Sequence, residues 1–147
     1  MFDRLPEEGV RVRKHDFLVC RGNGNINLVG QGVFPRSDEE QVVFPDTMIA
    51  CRLNADKICP PYLAALWGQR VVRQQIEAGA RTTNGTFKVN QKILGDVSLS
   101  VPPLDVQQEF ASRVEQINAQ RALVERALKK DEELFASLQS RAFKGEL

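Results

Sequence analysis

The sequence predicts an α+β protein: a curled, mostly antiparallel β-rich domain with one short helix, followed by a long C-terminal coiled-coil helix. Short segments rich in Val, Ile, Phe and Thr alternate with Gly, Asn, Asp and Pro, which favour turns. After Pro102 and Pro103, by contrast, no Gly or Pro occurs until Gly145. We therefore expect a globular domain over residues 1–101 and a helical region over residues 102–147.

Composition is compatible with one soluble domain. The chain has 147 residues, of which 42% are hydrophobic and 27% charged. Lys and Arg number 20 and Asp and Glu 19, so a net charge of +1 gives no overall attraction to nucleic acid or membrane. No long apolar run or basic secretory leader is present, and we expect a cytoplasmic location with no membrane partner.

Segments rich in Val, Ile, Phe and Thr, separated by turn signals, predict seven strands in the globular domain. Because the segments are short and closely spaced, we expect most of them to pair as antiparallel neighbours. The predicted strands are Val10–Val12, Asp16–Arg21, Ile26–Val29, Gln41–Phe44, Thr47–Leu53, Thr86–Val89 and Val97–Val101.

One short helix is predicted between the fifth and sixth of these strands. Pro60 and Pro61 suit a first helical turn, and Gly79 suits a C-terminal cap. The segment between them predicts a helix of roughly 17 residues that ends at Gly79. Trp67 is interpreted as a core anchor of this helix.

The long helix is predicted to begin at Asp105, where Asp105 and Gln108 have the spacing of a capping box. It runs to Lys144, with Gly145 placed to end it. At 1.5 Å per residue this helix is roughly 58 Å long, which is longer than a small domain is wide. We therefore expect a partner along its length.

Ten residues of this helix are spaced alternately four and three apart, as in a coiled-coil seam. Eight of them are apolar, and the exceptions, Arg121 and Asp131, carry opposite charges. The seam, which we also predict as a dimer interface, consists of Phe110, Val114, Ile117, Arg121, Val124, Leu128, Asp131, Phe135, Leu138 and Ala142.

The charged seam residues favour an antiparallel homodimer. A parallel pair would place Arg121 against its own copy, whereas an antiparallel pair centred near Arg126 places Arg121 opposite Asp131. In that register Val124 faces Leu128, and Ile117 faces Phe135. The alternative is a helix that packs on its own domain.

Residues suited to catalysis are few. Three cysteines without a CxxC pair suggest reduced core thiols rather than a disulfide framework or zinc site. The single histidine, His15, is interpreted as a surface residue, which disfavours most nucleophile pairs. Asp38, Glu39 and Glu40 are expected to form a solvated loop, although three carboxylates could hold a divalent ion. We therefore expect no enzymatic activity, no metal and no cofactor.

Local features do suggest contacts with nucleic acid. The segment from Leu63 to Gly95 contains five basic residues and one acidic residue, a net charge of +4, beside a polar run at Arg81–Thr86. Such side chains suit phosphate and groove contacts, although a solvated helix face with an Arg73–Glu77 pair is an equal alternative. The glycine-rich segment at Gly22–Asn27 lacks the GxGxxG and phosphate-loop patterns, and its asparagines either close turns or contact bases.

Several motifs in order resemble one half of the DNA-specificity subunit of type I restriction-modification systems. The resemblance starts near Lys14 and extends to the end of the chain. It is carried by HDFLVCRGNGN, by VG at Val29, by PYL at Pro61, by the Gly85-Thr86 turn, by VPPLDVQQEF and by LFASLQSRAFKGEL.

The resemblance implies a target-recognition domain that reads half of a split double-stranded DNA site, and a conserved helix that spaces it from a second such domain. It implies no catalytic activity in this subunit, since methylation and cleavage belong to partner methyltransferase and restriction subunits. On this basis we expect DNA contacts from Arg21, Asn23, Asn25, Arg81, Thr82, Thr83, Asn84, Lys88 and Lys92, with Arg70 and Arg73 at phosphates.

The sequence departs from the family pattern in two respects. It contains one recognition domain and one helix instead of two of each, and it lacks a further N-terminal stretch or has Met1–Arg13 in its place. It is therefore expected to be either a natural half subunit or a fragment. Two rival functions remain: a protein-interaction scaffold assembled through the coiled coil, and a metal-dependent nuclease using the carboxylates at residues 38–40.

Overall fold

The computed structural model describes residues 7–146 and divides the chain into two units, Met1–Gln108 and Glu109–Leu147. The first unit contains eight short strands and three short helices among its described residues, and all its strand pairs are antiparallel. The second unit consists of most of a long helix. The predicted α+β class is confirmed, with the correction that the first unit has three short α-helices rather than one.

Eight strands form three small sheets in the first unit. A two-stranded sheet has the order β1-β5, a second has β4-β2-β6, and a third has β3-β8-β7. A short 3-10 turn at Glu8–Val10 precedes the first strand. The strands are β1 Arg11–Val12, β2 Asp16–Cys20, β3 Gly22–Asn23, β4 Gly32–Val33, β5 Glu39–Val43, β6 Met48–Arg52, β7 Arg81–Thr83 and β8 Thr86–Lys88.

Two predicted strands are absent, because their backbone groups find other partners. Residues 26–29 form a turn in which the N–H groups of Leu28 and Val29 donate to the carbonyls of Asn25 and Ile26. Residues 97–101 are irregular because side chains bind their backbone. The Gln75 side chain accepts from the N–H of Ser98 and donates to its carbonyl, at 2.8 and 3.1 Å.

The predicted short helix is divided into two. Helix α1 spans Pro60–Trp67 and helix α2 spans Arg70–Gly79. The break occurs because Gly68 caps the first helix and Gln69 adopts an extended conformation, with ψ of 146°, before the second. A third helix, α3 at Gln91–Gly95, was not predicted and begins where the Asn90 side chain accepts from the N–H of Ile93.

The core of the first unit lies between the central sheet, which has the order β4-β2-β6, and helices α1 and α2. The Phe17 ring meets the Phe34 ring at 4.8 Å and the Trp67 ring edge-on at 5.4 Å between centroids. The prediction that Trp67 anchors the core is confirmed. The fully and nearly fully buried apolar residues of the core are Phe17, Val19, Val29, Leu63, Trp67, Val72, Ile76 and Val89.

The cysteines are free thiols of intermediate exposure. Cys51 packs against the core, where burial raises the pKa of its thiol above 9.0. A partly buried thiol of this kind behaves as a small apolar side chain.

The long helix, α4, spans Leu104–Phe143, 40 residues. It begins one residue before the predicted start, and the side chain that anchors its first turn is Gln107 rather than Gln108. Gln107 is fully buried within the first unit; its amide accepts from the N–H of Cys59 and donates to the carbonyls of Lys57 and Pro102. Gly145, at φ of 71°, follows the helix as predicted.

None of the helices within residues 7–146 is both long and apolar enough to cross a bilayer.

Candidate nucleic-acid interface

The two segments that the sequence singles out for nucleic-acid contact lie in the same sheet. In the β3-β8-β7 sheet, Gly22 pairs with Lys88 and Asn23 with Phe87. Lys88 in turn pairs with Arg81 on the other side. Residues 64 and 66 positions apart in the chain thus become neighbours on adjacent strands, a proximity that no local pattern indicated.

The hairpin between β7 and β8 turns at Asn84 and Gly85. Both residues have positive φ, of 49° and 74°. This combination is that of a type I′ turn, which matches the twist of a two-residue hairpin and favours Asn followed by Gly. The turn places Asn84 exposed at its tip, and it leaves Thr82 exposed on β7.

Arg81 and Lys88 form a pair of like charges directly across two strands. Residues in this relation project from the same face, and like charges there are destabilising unless a counter-charge is present. Within residues 7–146 neither side chain forms an ion pair. The eight residues of the three strands include no acidic residue. This face therefore favours an anion.

The asparagines of the first segment close turns. The side-chain oxygen of Asn23 accepts from the N–H of Asn25 at 2.9 Å, and that of Asn25 accepts from the N–H of Asn27 at 3.0 Å. The turn interpretation is therefore correct for both oxygens. The Nδ2 groups of both side chains make no hydrogen bond within the described part of the chain, so each remains a donor.

Arg21 lies where the chain passes from the central sheet to the third sheet. Its N–H donates to the carbonyl of Thr47, and its carbonyl accepts from the N–H of Val89. Its exposed side chain lines a cleft of about 730 Å³ together with Lys92. The cleft is also lined by Phe44, Asp46, Met48 and Gln91.

Lys92 reaches this cleft because α3 supports it, and sequence analysis missed α3. A signal was available: Asn90 precedes the helix, and asparagine is among the most favoured N-terminal caps. The helix has only five residues, which is too short for apolar periodicity to reveal.

The two arginines of α2 differ sharply. Arg70 is exposed at the start of the helix and makes no ion pair within residues 7–146. The side chain of Arg73 is only 14% exposed; it donates to the carbonyls of Val29 and Ile26 and pairs with Glu77 at 3.0 Å. The predicted Arg73–Glu77 pair is present, but the guanidinium is directed toward the protein rather than toward an approaching phosphate.

The acidic segment at residues 38–40 is partly engaged by the protein itself. The Asp38 carboxylate accepts from the N–H of Lys14 at 2.8 Å, and Glu39 accepts from the hydroxyl of Ser37. Among the described residues, no group of three or more His, Cys, Asp and Glu side chains has a geometry suited to a metal ion.

The seam of α4 is exposed. Its large apolar residues Phe110, Ile117, Val124, Leu128, Phe135 and Leu138 are between 36% and 68% exposed. Arg121 and Asp131 are exposed as well, Ala142 is exposed, and Val114 is half-buried. The predicted α4 coiled-coil seam thus presents a continuous apolar stripe with one charge of each sign.

Taken together, the fold and the site define a β-rich domain with an exposed basic sheet, joined in sequence to a coiled-coil-type helix. No protein-family model matches the chain.

Two curated proteins are similar to nearly the whole chain. It is 30% identical over 149 aligned positions to the specificity subunit of the type I restriction enzyme StySPI of Salmonella potsdam, covering 99% of this chain and 32% of that protein. It is 28% identical over 142 positions to the corresponding EcoKI subunit of Escherichia coli K12, covering 93% and 30%. The chain thus spans about a third of these relatives, and the predicted resemblance to type I specificity subunits is confirmed.

Proposed function

We propose that this chain recognises a DNA sequence and acts as part of the specificity subunit of a type I restriction-modification complex. The observation that carries the proposal is the sheet in which β3 and the β7–β8 hairpin meet, where Arg81 and Lys88 lie side by side and form no ion pair within residues 7–146. DNA phosphate groups supply the negative counter-charge, and the similarity of the chain to specificity subunits supports DNA as the partner.

The proposed contacts divide by chemistry. Groove contacts are assigned to Asn23, Asn25, Thr82, Thr83 and Asn84, because amide and hydroxyl groups can distinguish base edges. The exposed cations are assigned to phosphates or to guanine, whose acceptors suit arginine and lysine. These cations are Arg21, Arg70, Arg81, Lys88 and Lys92.

The proposed role is specificity rather than catalysis. The chain directs methyltransferase subunits, and through them a restriction subunit, to a bipartite site in cytoplasmic DNA. It uses no metal or cofactor of its own, and the chain alone is expected not to cleave DNA in the presence of Mg²⁺. Cleavage by the pure chain would instead favour the nuclease alternative.

We further propose that two copies pair through α4 as an antiparallel homodimer. The exposed seam needs an apolar partner, and a second copy supplies one in which each apolar residue meets another and Arg121 meets Asp131. Such a dimer has two-fold symmetry and presents two recognition domains. Its DNA site is therefore expected to be a split palindrome.

DNA recognition is tested by selecting duplexes from a random pool with the full chain and measuring affinity against salt concentration. Replacing Lys88 with Gln is expected to reduce the magnitude of the slope of log affinity against log salt concentration by about 0.9, the value for one phosphate contact. Lys57→Gln removes the same charge from an exposed position of the first unit outside the site and is expected to leave the slope unchanged. Absence of salt-dependent DNA binding would favour the scaffold alternative.

The homodimer is tested by the mass of the chain in solution. Arg121→Asp places carboxylates opposite Asp131 and is expected to give monomer, while Arg121→Asp combined with Asp131→Arg restores the pair with reversed signs and the dimer. Lys129→Asp changes the charge outside the seam and is expected to remain dimeric. If the double variant stays monomeric, the proposed register is wrong.

A further inference from the structure

We propose that Arg73 and Trp67 are positioning residues that hold residues 23–30, the reading loop, in one conformation for contact with DNA. The inference rests on the proposed function, since the loop carries Asn23 and Asn25. It assigns Arg73 an indirect role in place of the phosphate contact expected from its charge.

Three carbonyls within five residues of the loop are held by these two side chains. The indole Nε1 of Trp67 donates to the carbonyl of Gly30 at 2.7 Å. The Nη1 of Arg73 donates to the carbonyl of Val29 at 2.8 Å, and its Nη2 donates to the carbonyl of Ile26 at 3.3 Å. Helices α1 and α2 thereby each supply a donor to the loop.

The arginine contributes geometry as well as charge. A guanidinium is planar and offers several N–H donors in fixed directions, so it can bridge two carbonyls and still pair with Glu77. A lysine ammonium has no such fork. With 14% of its side chain exposed, Arg73 also has little surface left for a phosphate.

The end of the loop, at Val29 and Gly30, is closely packed and hydrogen-bonded to strand β2. Gly30 has a φ of 73°, and a Cβ atom at this position would clash with Cγ2 of Ile76. The Gly30 N–H donates to the carbonyl of Cys20 at 2.8 Å, which ties this point to strand β2. Val29 is fully buried in the core.

The other end of the loop is ordered by its own asparagines. The side-chain oxygens of Asn23 and Asn25 accept backbone N–H groups, so both side chains have a set direction while their amide nitrogens remain available. A loop ordered in advance loses less conformational entropy on binding. Discrimination between bases also needs donors at fixed positions.

The experiment compares Arg73→Gln, Arg73→Lys and Trp67→Phe in the full chain, with Arg70→Gln as the matched control on the same helix. Trp67→Phe removes the N–H donor and keeps an aromatic ring, so it serves even if Arg73→Gln does not fold. Hydrogen exchange is measured at the amides of Leu28, Val29 and Gln31, which donate to carbonyls of the loop. Affinity is measured for a duplex selected by the wild-type chain and for a scrambled duplex of the same composition.

All three variants are expected to exchange the loop amides about tenfold faster, the factor for losing about one hydrogen bond to a charged or buried group. Their preference for the selected over the scrambled duplex is expected to fall by a similar factor, with the salt dependence unchanged. Arg70→Gln is expected to do the reverse: it keeps the preference and reduces the logarithmic salt slope by about 0.9.

Two results would overturn the inference. One is unchanged loop exchange in Arg73→Gln and Trp67→Phe, which would mean that the loop is not held by these side chains. The other is recovery of wild-type binding by Arg73→Lys after equal losses for both duplexes in Arg73→Gln, which identifies a phosphate contact. If the wild-type chain itself shows no sequence preference, the proposed function fails, and the reading role fails with it, while the exchange data still decide whether the loop is held.

Discussion

The two units of this chain handle apolar surface in opposite ways. In the first unit, eight apolar side chains from strands and helices bury one another, and Phe17, Val19 and Ile76 are almost completely shielded. In the second unit, apolar residues recur along the seam of a helix, and the large ones are exposed, as are Leu123, Leu134 and Phe143 outside the seam. The first unit therefore completes its own hydrophobic core, whereas the second presents an exposed apolar seam.

The two units therefore differ in how their stability depends on protein concentration. A core closed within one chain contributes the same free energy at any dilution, while a seam closed between chains contributes more as protein concentration rises. The following predictions test that difference, beginning with the largest effect.

Phe17→Ala is expected to lower the free energy of unfolding by about 3–5 kcal/mol, because it removes a buried ring and leaves a cavity between Phe34 and Trp67. Urea unfolding at two protein concentrations should give the same loss. Phe135→Ala, at an exposed seam position, is expected to cost less than about 0.5 kcal/mol when dilute and more when concentrated. An equal, concentration-independent loss for both variants would contradict the comparison.

Gly30→Ala is expected to cost about 2–4 kcal/mol, since the left-handed conformation disfavours a side chain and the new methyl group collides with Ile76. The measurement is thermal unfolding of the full chain. Gly24→Ala is the control, because Gly24 has no atom within 4 Å of the added carbon. A Gly30→Ala variant as stable as wild type would show that the core around Ile76 rearranges readily to accept the added methyl group.

Gln107→Leu is expected to cost about 1–3 kcal/mol, because it leaves the N–H of Cys59 and the carbonyls of Lys57 and Pro102 without their partner in a partly buried site. Gln108→Leu changes the next residue, which is exposed, and should be nearly neutral. Unfolding in urea distinguishes them. Equal losses would mean that the first turn of α4 does not depend on the buried amide.

Cys51 gives the smallest effect and depends on pH. Burial raises the pKa of its thiol, so the folded state holds this proton more tightly than the unfolded state. The associated stability is complete below pH 9.0, the usual pKa, and is lost as pH rises through the folded value. Free energies of unfolding for wild type and Cys51→Ala should therefore converge above pH 9.0; parallel curves would exclude this contribution.

Much of the site was open to prediction from local signals. The Asn84-Gly85 pair is typical of a two-residue hairpin, although only its second strand, predicted at Thr86–Val89, was identified in advance. The basic character of Leu63–Gly95 identified Arg81 and Lys88, although their cross-strand pairing requires the register of β7 and β8. Arg73 shows the limit of this reasoning, because charge and spacing do not reveal which carbonyls a guanidinium will meet.

Local patterns were enough to predict the long helix, its end at Gly145 and the four-three spacing of its seam, because these depend on neighbours within two turns. The joining of β3 to β8 and the inward direction of Arg73, by contrast, depend on the tertiary structure. Each of these results from contacts between residues far apart in the chain. Such contacts form when buried polar groups must find partners, and a local pattern does not specify which partners those will be.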